Sequence, residues 1–309
     1  MSSTHILDPN DRRQNQGSCS TPSQRSTRFT HLPGAAELAL RLHAGAALRP
    51  AVVPRPRPER LPLSYAQQRL WFIDQLEGGV SPDYHIPAAL RLRGELDRSA
   101  LERAVETIVA RHESLRTRFG QVEGQLVQII MAEVRIAVPV EDLSALAPPA
   151  RQRALSVALR QEWQQPFDLA QGPLLRFKLL QFGPQEHVPL RTFHHIVSDG
   201  WSVGVFDQEF ATLYEAFRNG SDNPLEPLRV QYADFVLWQR GWLDQAASDH
   251  GLAHWKEQLA GIPQQLALPA DRPRPARPSY AAEACAVSLS AAQVTGLKGL
   301  SQAHQTTCT

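Results

Sequence analysis

The stretch Phe193-His194-His195-Ile196-Val197-Ser198-Asp199-Gly200-Trp201-Ser202 decides how the rest of the chain is interpreted. Before it, Pro173–Phe182 and Val188–His194 are predicted strands, because apolar and β-branched residues dominate them and a Gly-Pro turn separates them. After it, apolar residues recur at helical spacing from Val203 to Phe217. The stretch is therefore predicted to be a loop that joins the end of a strand to the start of a helix.

The two adjacent histidines give this loop its chemistry. Side chains alternate faces along a strand, so His194 and His195 do not easily share one metal ion. Imidazole accepts and returns a proton near neutral pH, and His195 at a strand end is well placed to face a cleft. Asp199 can cap the following helix and Gly200 can be a turn glycine with positive φ. Both roles are also compatible with a site, because they would fix the loop that presents His195. The loop is therefore a candidate site for acid–base chemistry, with His195 as the working imidazole.

Other enzyme classes and partners find no support in the sequence. There is no GxSxG elbow, phosphate-binding loop or GxGxxG fingerprint, which argues against serine hydrolases and nucleotide-binding folds. The 309 residues carry a net charge of +1, so no overall field attracts nucleic acid or an anionic membrane. The three cysteines, Cys19, Cys285 and Cys308, form no CxxC pair, which argues against a structural zinc site. No long apolar run or secretory signal is present, so a cytoplasmic protein is predicted.

The chain is organised into a polar start, a proline-rich segment and a structured remainder. Residues 1–28 are polar and aperiodic and are predicted to be a disordered tail. Residues 49–60 hold four prolines among arginines and are predicted to be a stiff linker; without interleaved aromatic residues a nucleic-acid patch is disfavoured. From Leu61 onward, strands and helices mix. Ser64 with Gln67 is the capping-box pattern of a helix start, and strands are predicted at Val134–Val140 and Ala284–Leu289. This mixture predicts an α/β sandwich with helices on a mostly antiparallel or mixed sheet.

Four segments in order resemble the motifs of a known family. They are Ser64–Phe72 (SYAQQRLWF), Arg111–Phe119 (RHESLRTRF), Phe193–Ser202 (FHHIVSDGWS) and Tyr232–Trp238 (YADFVLW). Together they resemble the condensation domains of nonribosomal peptide synthetases, which belong to the chloramphenicol-acetyltransferase-like acyltransferases. The resemblance covers residues 61–309.

The resemblance implies a two-lobed fold with a tunnel between the lobes, of which this chain supplies the N-terminal lobe, a two-layer α/β sandwich, and the start of the second lobe. The later motifs of the family do not appear in the sequence. We therefore expect a C-terminally truncated domain whose second lobe is largely missing and which has little or no activity by itself.

The resemblance also implies substrates and partners. Donor and acceptor acyl groups arrive as thioesters on the phosphopantetheine arms of carrier domains, supplied by an adenylation domain, and no cofactor or metal is bound directly. The first motif and Asp83–Pro87 resemble condensation domains that accept an L-configured donor. Residues 29–48 faintly resemble the last helix of a carrier domain, with an ordinary amphipathic helix as the alternative.

The family's site residues map onto this chain one by one. His195 matches the histidine that acts as a base toward the acceptor amine or orients it, and His194 is expected to support it. Asp199, beside Gly200, matches a structural aspartate that by analogy pairs with an arginine of the second motif, Arg111 first and Arg116 second. Alternatives in the same fold are an epimerisation domain or an ester-forming acyltransferase. A non-catalytic domain that only docks carriers is the alternative from another class.

Overall fold

The structure is a computed structural model of the chain, and it describes residues 6–7, 51–79, 81–243, 247–263, 269, 272–273, 287–304 and 306. Described residues up to Ile262 belong to one compact unit, and those from Pro263 onward to a second. The predicted carrier-like helix at 29–48 lies outside the described residues, as does all of the predicted disordered tail except two residues. Those two, Ile6–Leu7, form strand β1.

A mixed sheet of six strands forms the centre of the first unit. Its strands are β1, β3 (His85–Leu90), β4 (Leu92–Arg93), β7 (Val140–Asp142), β8 (Leu175–Gly183) and β9 (Glu186–His194). The order is β1-β3-β9-β8-β7, with β4 also paired to β9; β3, β9 and β8 are antiparallel, whereas β1 and β7 join in parallel. The long strands β8 and β9 were predicted, and their central place gives the loop after His194 a rigid support.

A second sheet of three strands lies in the same unit. It contains β2 (Leu61–Pro62), β5 (Thr117–Val122) and β6 (Gln125–Ile130) in the antiparallel order β2-β6-β5. The turn between β5 and β6 places Glu123 and Gly124 at positive φ, as a tight hairpin requires.

Helices cover both faces of the main sheet. The helices of this unit are α1 (Tyr65–Leu76), α2 (Arg98–Arg111), α3 (Pro148–Gln164), α4 (Gly200–Arg218), α5 (Tyr232–Leu243) and α6 (Ala247–Gln258), with a 3₁₀ turn at Glu113–Arg116. The second unit contains helix α7 (Ala291–Ala303). Helices α2 and α4 pack in the larger core with Phe177 and Phe193, whose ring lies 5.3 Å from that of Phe206. Helix α3 packs on the opposite face through Leu155, against Leu180 and Val188. Because β8 and β9 are covered by helices on both sides, side chains that point to either face of the sheet are buried along them.

Helix starts follow the capping residues that the sequence offers. Ser64 accepts a hydrogen bond from the Gln67 amide while the Gln67 side chain accepts one from the Ser64 amide, which is the predicted capping box of α1. Asp97 caps α2 by accepting from the Ala100 amide at 2.9 Å. These caps fix where α1 and α2 enter the core.

The observed strands differ from the predicted ones at two places. The alternation over 134–140 predicted a strand, yet only Val140 belongs to one; Ile136 and Val138 are buried without a ladder partner, so the pattern records burial and not pairing. The strand β5 was not predicted, because Arg118, Gly120 and Gln121 interrupt its apolar pattern and its place comes from pairing with β6. The predicted strand at 284–289 falls mostly outside the described residues.

The proline-rich segment is attached to the domain over its described part. The Arg55 amide donates to the Asp234 carboxylate at 2.9 Å, and the Arg57 guanidinium pairs with the same carboxylate at 2.9 Å. Arg57 also reaches Glu113 at 3.1 Å. Asp234 is only 2% exposed and also accepts from the Gln231 amide at 2.8 Å. A segment that the sequence predicts as a stiff linker is therefore held on α5 by one buried carboxylate.

We expect Asp234→Ala to release this segment. Loss of a charge-assisted hydrogen bond should speed hydrogen–deuterium exchange of the Arg55 amide by about tenfold or more. The matched control is Glu102→Ala, which breaks the exposed pair of Glu102 with Arg98 and leaves the segment untouched. Equal exchange at Arg55 in all three proteins would show that Asp234 does not hold the segment.

Candidate active site

His195 lies directly after β9, at the mouth of a cleft. Its backbone amide donates to the Tyr84 carbonyl at 2.8 Å, which ties the turn to the residue before β3. Its side chain is exposed. The cleft has a volume of about 240 Å³. We call it the His195 cleft, and it is lined by Ala66, Gln67, Arg69, Leu70, Tyr84, Ser114, His195, Ile196, Val197, Ser198, Asp199, Ser202 and Tyr232.

His194 faces the opposite way and is buried at 3% exposure. Its Nδ1 accepts a hydrogen bond from the Ile196 amide at 3.1 Å, so the ring proton is on Nε2. Its ring lies 6.0 Å from Phe167 and 5.9 Å from His85. Burial, with smaller contributions from His85 and His195, lowers the pKa of His194 to about 3. His194 is thus a neutral ring that holds the backbone of the turn from below.

Asp199 caps helix α4. Its carboxylate accepts from the Ser202 amide at 2.8 Å and from the Ser202 hydroxyl at 2.6 Å. These hydrogen bonds lower the pKa of Asp199, since they favour the charged carboxylate. The capping alternative that the sequence left open is therefore what the structure shows, and the cap fixes the C-terminal end of the loop that carries His195.

Gly200 is the first residue of α4 and does not have positive φ. The turn-glycine alternative is therefore wrong, because the chain enters the helix here without a left-handed residue. A Cβ atom built on Gly200 has no neighbour within 4 Å. Open space lies beside the loop at this position.

The structure does not bring Asp199 to an arginine of the second motif. Arg111 pairs instead with Glu209 of α4 at 3.0 Å and donates to the Glu226 carbonyl at 2.5 Å. Arg116 donates to the carbonyls of Ala110 and Met131 at 3.3 and 2.6 Å. Among the described residues no ion pair joins Asp199 to either arginine, so the expected pairing is corrected. The physical reason is that the Ser202 amide and hydroxyl satisfy the carboxylate locally.

Residues of the first and fourth motifs lie around the loop. The sequence predicted no role for them. The buried Gln67 side chain donates to the Ile196 carbonyl at 3.3 Å and so links α1 to the turn after His195. The Tyr232 and Ser64 hydroxyls are 3.0 Å apart at the wall of the cleft. Burial of the hydroxyl, more than any other cause, raises the pKa of Tyr232. The only indication of these supporting roles in the sequence was that the residues lie in motifs that match the family, because the residue types alone suggest no chemistry.

Two properties of the described residues concern other site classes. Within those residues, no group of three or more His, Cys, Asp or Glu side chains is placed to hold a metal ion. In the same part of the chain, no helix combines the length and apolar character needed to cross a bilayer.

Comparison with known proteins identifies the family. The family model described as "Condensation domain" matches residues 58–309. A linear gramicidin synthase of Brevibacillus parabrevis is 46% identical over 254 residues, which is 82% of this chain and 3% of the synthase. Malpibaldin synthetase of Mortierella alpina is 45% identical over 258 residues, which is 83% of this chain and 5% of the synthetase. The chain belongs to the condensation domain family of nonribosomal peptide synthetases, as the four motifs indicated.

Solved structures agree with this assignment and confirm the predicted α/β fold class of chloramphenicol-acetyltransferase-like proteins. The X-domain in its complex with OxyB from teicoplanin biosynthesis has a TM-score of 0.70 at 32% identity, over 84% of this chain and 56% of that one. The starter condensation domain of rhizomide synthetase RzmA has a TM-score of 0.60 at 28% identity, over 67% and 49%. The chain thus spans about half the length of the solved domains that it matches, and a small part of each synthetase.

We expect His194→Asn to flatten the dependence of stability on pH. The folded pKa of His194, about 3, lies below the unfolded value of 6.5, so the unfolded state alone binds the proton between these pH values. Stability is therefore lost as pH falls through this window, by up to about 1.4 kcal/mol per pH unit for one such group.

The Asn side-chain oxygen can still accept from the Ile196 amide but takes up no proton. Urea unfolding of both proteins at pH 8, 6, 5 and 4 measures the difference. Parallel curves of unfolding free energy for the two proteins would contradict a buried neutral His194.

We expect Gly200→Ala to leave the fold intact. Its backbone is helical and its surroundings are open, so the free energy of unfolding, measured with heat or urea, should change by less than about 1 kcal/mol. A larger loss of stability would show that the space beside Gly200 is not open.

Proposed function

We propose that this chain carries the histidine-bearing half of a site that forms amide bonds between carrier-bound thioesters. The observation that supports this most is the placement of His195. It is the exposed member of a histidine pair, on a loop held by a buried ring below, a helix cap behind and the Gln67 side chain beside it. A loop fixed in this way presents one imidazole to the cleft without reorganisation, which acid–base and positioning chemistry both require.

The proposed reaction is balanced in atoms and protons, and His195 is the only protein group that it requires for proton transfer. The neutral α-amine of the acceptor attacks the carbonyl carbon of the donor thioester, the C–N bond forms and the C–S bond breaks. The donor sulfur leaves as a thiolate on its phosphopantetheine arm, and the proton lost by the amine reaches that thiolate. His195 acts either as the base that moves this proton or as the hydrogen-bonding group that orients the amine. His194 and Asp199 act through the loop and touch neither substrate.

The proposed partners follow from this chemistry. Both acyl groups come on carrier domains loaded by an adenylation domain, and the phosphopantetheine arms are parts of the substrates. We propose an L-configured donor, since the first motif is of that kind. We also propose that the 309-residue polypeptide turns over slowly by itself, because it spans 56% and 49% of the two solved chains compared above. The cytoplasmic location stays a prediction.

The test presents aminoacyl donor and acceptor carriers to two proteins and measures dipeptidyl product by mass spectrometry. One protein is the 309-residue chain. The other is the same chain extended by the matching remainder of the condensation domain from the linear gramicidin synthase compared above. We expect product from the extended protein, at a rate well above that of the shorter chain, and with an L-configured donor preferred over its D-configured counterpart. Efficient turnover by the shorter chain would refute its proposed low activity.

Substitution of His195 in the extended protein tests its role. A general base is worth about 10²–10⁴-fold in rate, so His195→Ala should lose most of the product formation. His195→Gln keeps a hydrogen-bonding group but carries no titrating ring. Equal losses in both variants indicate the base, whereas substantial activity in the Gln variant alone indicates positioning. Full activity in the Ala variant would overturn the assignment of His195.

A second candidate is a docking domain without chemistry. It is favoured by one observation, that a solved X-domain of this fold was obtained as a complex with OxyB. Docking predicts that His195→Ala changes neither partner binding nor any product, so the same variant separates the two candidates. Epimerised or ester product in the assay would instead indicate the related activities of this fold.

A further inference from the structure

One arginine lies almost enclosed beneath the loop that carries His195. Arg176 is on β8, directly opposite Thr192 of β9, and only 18% of its side chain is exposed. Opposite residues on paired strands, and residues two apart along one strand, point to the same face of a sheet. Arg176 therefore lies on the face that His194 enters, and the proposed reaction gives this cation no role.

The Arg176 guanidinium is fixed by the end of helix α3. It donates to the backbone carbonyls of Glu162 at 2.9 Å, Gln165 at 2.7 Å and Pro166 at 3.2 Å. The Glu162 carboxylate lies 3.6 Å from its Nε. The last carbonyls of a helix have no partner within the helix, and a cation is favoured at that end of the helix dipole. Several contacts with one helix end leave the guanidinium little freedom to move.

The same guanidinium lies over the ring of Phe167, 3.8 Å from the ring centroid. Phe167 is buried and meets two histidine rings nearly at right angles, with its centroid 5.0 Å from that of His85 and 6.0 Å from that of His194. We call Phe167, His85 and His194 the ring cluster. A cation over an aromatic face and edge-to-face ring pairs are both favourable contacts. Phe167 thus links Arg176 to both histidines.

His85 is tied to the same end of α3. Its Nδ1 donates to the Trp163 carbonyl at 2.7 Å, and Trp163 follows the residue Glu162 that Arg176 binds. On the sheet, His85 of β3 lies opposite His194 of β9. Burial, and to a smaller extent the charge of Arg176, lowers the pKa of His85, and burial also lowers the pKa of His194. The ring cluster is therefore packed as neutral rings beside one cation.

We infer that Arg176 is a positioning residue that holds His195 in place through Phe167 and His194, an inference that rests on the proposed function. The Nδ1 of His194 accepts from the Ile196 amide at 3.1 Å, so the loop follows any movement of the His194 ring. Without the guanidinium, Phe167 loses the contact on its face and the ring cluster gains room to shift. A displacement of about 1 Å at a catalytic group can lower a rate by about 100-fold, so a cation that never touches the substrate matters to the reaction.

The first test measures the loop without turnover, in the 309-residue chain. Arg176→Met removes the charge and the donors but keeps an unbranched apolar stem. We expect hydrogen–deuterium exchange of the Ile196 amide to speed by about tenfold relative to the amides of α2, because a cation–π contact and charged hydrogen bonds are lost. Arg176→Lys keeps a cation near Phe167 without the planar fork and should restore part of the protection.

The matched control is Arg91→Met. Arg91 also lies over a phenylalanine ring, 5.7 Å from the centroid of Phe182, and it also pairs with a glutamate, Glu186. Because Glu186 is the first residue of β9 and His194 is the last, loss of this arginine should leave the exchange of the Ile196 amide unchanged.

Phe167→Leu tests the route. It removes the aromatic ring and leaves the carbonyl acceptors of Arg176 in place, so it carries the test even if Arg176→Met fails to fold. If Arg176 acts through Phe167, the Ile196 amide exchanges as fast in Phe167→Leu as in the double variant, because the second change has no further contact to break. Effects that multiply in the double variant would overturn the inference.

The second test uses the extended protein and the same carriers. We expect Arg176→Met to lower kcat by about tenfold or more while KM for the acceptor carrier changes by less than about twofold, because a positioning residue acts on the reacting geometry and not on carrier binding. Arg91→Met should match the unsubstituted protein in both constants. A merely structural Arg176 would instead lower the amount of folded protein and leave kcat per folded molecule unchanged.

Unchanged Ile196 exchange in Arg176→Met, an equal change in Arg91→Met, or an unchanged kcat would each overturn the inference. Failure of the proposed function gives a different result. In that case the Ile196 amide exchanges faster in Arg176→Met, but the unsubstituted extended protein makes no amide product. The coupling of Arg176 to the loop then stands and the reaction is refuted.

Discussion

The site depends on one constraint of strand geometry, that neighbouring side chains at the end of β9 point to opposite faces. One imidazole must then enter the interior, where it is stable only as a neutral ring with its Nδ1 satisfied, and the Ile196 amide supplies that hydrogen bond. The other imidazole is displayed to solvent by the same geometry. Because His194 is buried as a neutral ring, the fold loses stability at acid pH. The same burial packs the His194 ring against Phe167, so the backbone that carries His195 is held by packing as well as by hydrogen bonds.

Contacts from three parts of the chain hold the loop after β9 or the helix α1 that contacts it. The cap of α4 is local, within four residues of His195. The Gln67 contact comes from α1, which itself starts at a capping box. The contact between the Tyr232 and Ser64 hydroxyls joins α5 to the start of α1. Residues of the first, third and fourth motifs therefore contact one another around the single turn that carries His195.

The parts that the sequence predicts well are those decided by near neighbours. The capping box of Ser64 and Gln67, the strands β8 and β9 and the start of α4 depend on residues a few positions apart. The partner of Arg111 was not predictable in this way, because Glu209 lies 98 residues further along the chain. The strand β5 likewise depends on its pairing with β6.

The attachment of Arg55 and Arg57 to Asp234 changes how far anything joined ahead of the domain can travel. If the flexible connection were taken to end at Leu61, it would include residues 55–60, which are held on the domain from Arg55 onward. Six extended residues span about 20 Å. Shortening a tether by that length raises the local concentration of whatever it carries and restricts the directions from which it can approach. A single carboxylate in the fourth motif thus sets the point, Arg55, from which any preceding segment is free to move.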